Sequence, residues 1–107
     1  MKRTAKITRS SGNVFADIGV PDAAAYKAKA DLVLLIADLI ERRGLSQSEV
    51  SKLIYLAQPD VSKLLRGHFD GYSFDRLFGY LTALDQHVTI GVEEAKSKKD
   101  AILEMAV

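Results

Sequence analysis

Between Gln58 and Arg66 the chain carries side chains able to read a polymer of stacked bases. A glutamine amide pairs bidentately with adenine, arginine or lysine with guanine, and a serine hydroxyl with a base or a phosphate. Gln58, Ser62, Lys63 and Arg66 supply these groups, while Val61, Leu64 and Leu65 recur at helical spacing as a separate apolar face. Pro59 stands in the first turn, where its missing N–H costs nothing. The base-reading candidates are therefore Gln58, Pro59, Ser62, Lys63 and Arg66. Asp60 is the exception in charge: a carboxylate stabilised by the helix dipole is its simpler role, and accepting from cytosine N4 is the other. Set against all this is the plain alternative of a solvated polar face on an ordinary helical hairpin.

These side chains need a rigid support. Ser46 and Glu49 form a capping box, which predicts a helix starting at Gln47 with Val50, Leu53 and Ile54 on its apolar stripe. Tyr55-Leu56-Ala57 leaves room only for a sharp corner before a second helix opens at Gln58-Pro59 and stops at Gly67. Two short helices around a tight turn make a helix-turn-helix, whose second member can lie in a major groove. Gln47, eleven positions before Gln58, opens the first of the two, where free N–H groups favour an anion such as phosphate.

Upstream, a long helix is expected from about Ala23 to Arg43, with Asp22 as N-cap and Gly44 as stop. Arg43 at its end is a phosphate candidate or a structural residue. The run Leu32–Ala37 is apolar around more of the circumference than a surface helix needs, so a second cover is expected. Val14, Phe15, Ile18 and Val20 can provide it within the chain, and another copy is the alternative. Lys2, Arg3, Lys6 and Arg9 lie in a leading arm, read first as a frayed terminus and second as a basic arm reaching phosphates or a minor groove. Downstream, Ser73 caps a helix with Phe74, Leu77, Phe78, Leu81 and Leu84 as its core stripe. His87–Val92 alternates like a strand, and a lone strand leaves its backbone groups unpaired. Val88, Ile90 and Val92 are therefore expected to pair with a second copy or with an edge strand from a partner protein. Residues 93–107 mix both charges with Ala, Leu and Met and suggest no definite element.

At 107 residues and 48% hydrophobic content the chain is long and apolar enough for one folded domain. It has no cysteine, which excludes disulfides, zinc–thiolate sites and thiol catalysis and fits a reducing cytoplasm. The net charge of +1 means that nucleic-acid binding would rest on local clusters. No apolar run has the length of a membrane span or a signal peptide. His68 has no second ligand at metal spacing, and no nucleophile stands beside a base, so neither an enzyme, a metal nor a cofactor is expected.

The helix-turn-helix resembles the xenobiotic-response-element (XRE) family of regulators with the lambda-repressor-like fold. In that family one glutamine opens the second helix and another opens the recognition helix, at the separation of Gln47 and Gln58. Ser51 matches the small residue where the helices cross, and Val61 and Leu64 match recognition-helix core positions. This chain departs from the pattern twice, with Tyr55 where the turn usually carries glycine and Ala57 where serine or threonine usually caps. The wider frame, SGNVFADIGVPDA (Ser11–Ala23) through FDRLFGYLTALDQHVTI (Phe74–Ile90), is similar to antitoxin-like regulators of the HigA type.

The resemblance implies an all-α, lambda-repressor-like bundle of about five helices with one short C-terminal β-strand. It further implies that the Ser73 hydroxyl and the N–H groups beside it face a phosphate, joining Gln47 and Arg43 as phosphate candidates. The expected organisation is an arm and covering segment over 1–22, the helix-turn-helix domain over 23–85, and a strand and tail over 86–107. The expected function is a cytoplasmic, homodimeric repressor that binds double-stranded DNA and serves as antitoxin to a RelE-like toxin. A protein-interaction module of the same fold that does not read DNA is the alternative.

Overall fold

The computed structural model describes residues 4–6, 22–100 and 102–105. Four α-helices form the body: α1 (Asp22–Arg42), α2 (Gln47–Ile54), α3 (Gln58–Leu65) and α4 (Phe74–Ala83). Two three-residue strands, β1 (Thr4–Lys6) and β2 (Gly91–Glu93), pair at its edge, and a short 3-10 turn covers Lys98–Asp100. The helical architecture is the one expected, with four α-helices among the described residues in place of about five.

The long helix spans 21 residues and presents Ala28, Leu32, Val33, Ile36, Leu39 and Ile40 to the interior. It packs against α4 and α3, and α2 packs against α3 and α4. Val50 and Ile54 of α2, Val61 and Leu64 of α3, and Phe74, Leu77, Phe78, Tyr80 and Leu81 of α4 join one core with Phe69 and Leu84. Leu53, expected on the α2 stripe, is instead 40% exposed, because Val50 and Ile54 already fill the space facing α3 and α4. Leu34 is 68% exposed on the far side of α1. The segment expected to cover that side, Val14–Val20, lies outside the described residues, as do Lys2, Arg3 and Arg9 of the leading arm.

Every one of these helices ends through a left-handed residue: Gly44 (φ 64°), Tyr55 (φ 55°), Gly67 (φ 95°) and Asp85 (φ 65°). Leu45 N–H bonds back to Ile40 O at 3.1 Å, His68 N–H to Lys63 O at 3.0 Å and Gln86 N–H to Leu81 O at 2.9 Å. These are six-to-one closures that satisfy otherwise orphaned carbonyls and turn the chain sharply. Glycine adopts this conformation freely. Aspartate tolerates it, whereas an ordinary side chain is strained by about 1–2 kcal/mol.

The strand differs from expectation in extent and in partner. It occupies Gly91–Glu93 rather than 88–92, and it pairs antiparallel within the chain, with Thr4 opposite Glu93, Ala5 opposite Val92 and Lys6 opposite Gly91. Only Val92 of the three expected pairing residues lies in it; Val88 and Ile90 pack half-buried against the helical core. The backbone groups on one side of this strand find their partners in the leading arm, whose three residues are too few and too polar to mark a strand in the sequence.

Candidate nucleic-acid interface

The pose of α3 is fixed from beneath. Val61 and Leu64 are 0% and 1% exposed, so the opposite side of this eight-residue helix has to face outward. Gln58, Pro59, Lys63 and Arg66 are exposed there and Ser62 is half-buried. Across the corner, Gln47 opens α2 behind the Ser46 cap. The Ser46 hydroxyl accepts Glu49 N–H at 3.1 Å, and Glu49 Oε1 accepts Ser46 N–H at 2.9 Å, completing the expected box. Accepting the Ser46 N–H and hydroxyl holds the Glu49 carboxyl below the usual glutamate range, with Lys52 acting in the same direction.

Gln47, Gln58, Pro59 and Ser62 line one shallow, open groove between the starts of α2 and α3. Two glutamines eleven positions apart in sequence thus share one surface. Lys63 and Arg66 lie on the same helix beyond it. Arg66 Nη1 donates to Ser62 Oγ at 3.1 Å, which lays the guanidinium along α3 without neutralising it. The first helix treats its cations differently: Lys27 pairs with Asp31 at 3.2 Å and Arg42 with Asp38 at 2.9 Å. Among the described residues no such acid pair forms at Lys63 or Arg66, so a nearly neutral chain keeps positive charge where α3 is exposed. Asp60, exposed in the first turn of α3, subtracts from that charge.

Ser51 does more than fill a crossing point. Its carbonyl accepts the N–H groups of Tyr55 and Leu56, and its hydroxyl donates to Leu56 O at 2.5 Å. One residue therefore fixes the angle between α2 and α3 from both sides of the corner. Ala57 caps α3 without a side-chain bond, its carbonyl accepting from Asp60 N–H and Val61 N–H at 2.9 and 3.0 Å.

The phosphate candidates part company. Gln47 joins the groove. Arg43 donates from Nη1 to Leu84 O at 2.7 Å and from Nη2 to Asp85 Oδ2 at 3.1 Å, so it ties the end of α1 to the end of α4. Ser73 caps α4, its Oγ accepting Arg76 N–H at 3.1 Å while the hydroxyl proton stays available to donate.

A cluster at the start of α4 was not anticipated. The Arg76 guanidinium lies over the Tyr72 ring at 4.3 Å, and its Nη2 donates to Tyr80 Oη at 2.8 Å. Tyr72 meets Tyr80 edge-on at 6.3 Å. Burial pushes the Tyr72 phenol above its usual range, Tyr80 and the Asp60 carboxylate add to the effect, and the Arg76 cation opposes it. The spacing of Tyr72, Arg76 and Tyr80, each four residues from the next, was the available signal.

A family model described as a helix-turn-helix domain matches residues 14–93. A solved structure described as a candidate XRE-family transcriptional regulator is similar to the chain at 34% identity and a TM-score of 0.70, covering 81% of this chain and 97% of its own. No curated protein matches.

Proposed function

The chain belongs to the XRE-type helix-turn-helix family, and from that membership we propose that it is a sequence-specific DNA-binding transcriptional regulator. The observation that carries the proposal is the groove shared by Gln47, Gln58, Pro59 and Ser62, with unneutralised Lys63 and Arg66 along the same helix. In this reading α3 enters the major groove, Gln58 and Arg66 address base edges, and Gln47 and Ser73 take phosphates on either side. A homodimer would place two copies of α3 on half-sites about one helical turn, 10–10.5 bp, apart. Because β1 occupies one side of β2, such a dimer would use an outer edge of the two-stranded sheet or a helical face. Light scattering at micromolar concentration tests it, and a monomer there removes the dimer from the proposal.

We further propose that the regulator is the antitoxin of a type II toxin–antitoxin pair and represses its own promoter. The support is the likeness of Ser11–Ala23 and Phe74–Ile90 to HigA-type regulators. Co-purification with the product of the adjacent reading frame, expected to be a RelE-like ribonuclease, tests this. A gene with no toxic neighbour removes the support.

The DNA-binding proposal is tested by titrating duplexes from the gene's upstream region across a range of salt. Lys63→Ala should weaken binding across many sequences and, if Lys63 touches a phosphate instead of a base, lower the salt slope by about 0.9. Gln58→Ala should relax preference at one base pair, by about 1–3 kcal/mol. Binding unaltered by both changes would place the wrong face on DNA. The exposed Asp60 and an N-cap, Ala57, without a side-chain hydroxyl favour the second reading, an interaction module that leaves DNA alone. It predicts no mobility shift at moderate salt.

A further inference from the structure

We propose that Arg76, stacked on Tyr72 and hydrogen-bonded to Tyr80, is a pre-set phosphate clamp that fixes the duplex against α3. The proposal rests on the DNA-binding reading and adds a residue that neither the sequence pattern nor the family match assigns.

A guanidinium is an effective phosphate ligand because its planar fork offers two parallel donors, but a free arginine loses considerable rotamer entropy on binding. Here that freedom is already restricted. Tyr72 supports the guanidinium at 4.3 Å, Tyr80 lies 5.8 Å from it on another side, and one Nη2 bond of 2.8 Å to Tyr80 Oη fixes its rotation. Five N–H donors are present, and the bond to Tyr80 uses one. Stacking on tyrosine faces orients the cation without cancelling its charge, and among the described residues no acid pairs with it. Arg43, by contrast, spends its fork on Leu84 O and Asp85.

Location adds to this. Arg76 occupies the third position of α4, its side chain is exposed, and its backbone N–H is capped by Ser73. Its platform, Tyr72, belongs to the short connection 66–73 that joins the end of α3 to the start of α4. The clamp therefore stands on the helix that follows the reading helix rather than on it. A cation in that place suits the sugar–phosphate rail flanking the groove, and holds the duplex without selecting bases.

The test is duplex binding against salt for Arg76→Ala, Arg76→Lys and Tyr80→Phe, on the upstream duplex and on a scrambled one, with thermal melts of each protein. Arg76→Ala should weaken both duplexes by a similar factor, about tenfold for one charge-assisted contact, and lower the salt slope by about 0.9. Arg76→Lys should keep the slope and lose several-fold in affinity, since it keeps the charge but not the fork. Tyr80→Phe should also keep the slope with a smaller loss. A melting point lowered in Arg76→Ala while slope and affinity stay at the wild-type values would overturn the clamp and leave a packing role. If Arg76→Ala does not fold, wild-type affinity in both Arg76→Lys and Tyr80→Phe overturns it equally. Wild-type protein that binds neither duplex would instead sink the DNA reading, a failure distinct from that of the clamp.

Discussion

Tyr55 sits at φ 55°, ψ 47° and is 95% exposed, in the corner where the family it resembles usually carries glycine. Its backbone is fixed by the N–H bond to Ser51 O, so the residue cannot relax without opening the corner. A non-glycine residue in this region is strained by about 1–2 kcal/mol, and an exposed ring recovers almost nothing through burial. Tyr55→Gly removes the strain but loosens the unfolded chain by about 0.5–1 kcal/mol. The net expectation is stabilisation by about 0.5–1 kcal/mol. In urea, with a slope of about 1–2 kcal/mol per molar, the midpoint should rise by roughly 0.3–1 M at unchanged slope. Tyr55→Ala serves as control, since alanine keeps the strain and loses only an exposed ring, and should stay within about 0.5 kcal/mol of wild type. A Tyr55→Gly protein no more stable than Tyr55→Ala would refute the idea that the corner stores strain.

Ser51→Ala removes the hydroxyl bond to Leu56 O and should cost about 1 kcal/mol by denaturant titration, with weaker duplex binding because the α2–α3 angle loosens. The Glu49 carboxyl is held below its usual range by Ser46, so its contribution is full above the ordinary glutamate pKa and disappears as pH falls through the lowered folded value. Stability of Glu49→Ala and wild type should accordingly differ at neutral pH and converge in acid; a gap constant with pH would contradict the capping role. Leu64→Ala, at a position 1% exposed beneath the reading face, should cost about 2–5 kcal/mol in chemical unfolding; a loss under 1 kcal/mol would mean that α3 is not anchored there.

Local signals announced the helices well, because caps and stops are short-range chemistry. Ser46 with Glu49, Ser73, Gly44 and Gly67 each mark a boundary through bonds to backbone a few positions away, and the structure places them so. The groove was readable for the same reason: burying Val61 and Leu64 leaves Gln58 and Ser62 no other side. Contacts between segments distant in sequence carried no such mark. The pairing of Thr4–Lys6 with Gly91–Glu93 links opposite ends of the chain through backbone alone, which composition does not record. The hydrogen bonds of Arg43 to Leu84 O and Asp85, some forty positions away, had no mark in the sequence either. Leu53 kept helical spacing yet faces partly outward, because a stripe only two residues wide suffices for so short a helix.

Footprinting the protein on the DNA upstream of its own gene, wild type beside Gln58→Ala, probes the role of α3 most directly. Two protected patches on one face of the duplex, separated by about 10–10.5 bp or a multiple, and blurred by the substitution, are the expected pattern. Uniform cleavage at moderate salt, or a footprint indifferent to Gln58, would show that the groove at the start of α3 does not read DNA.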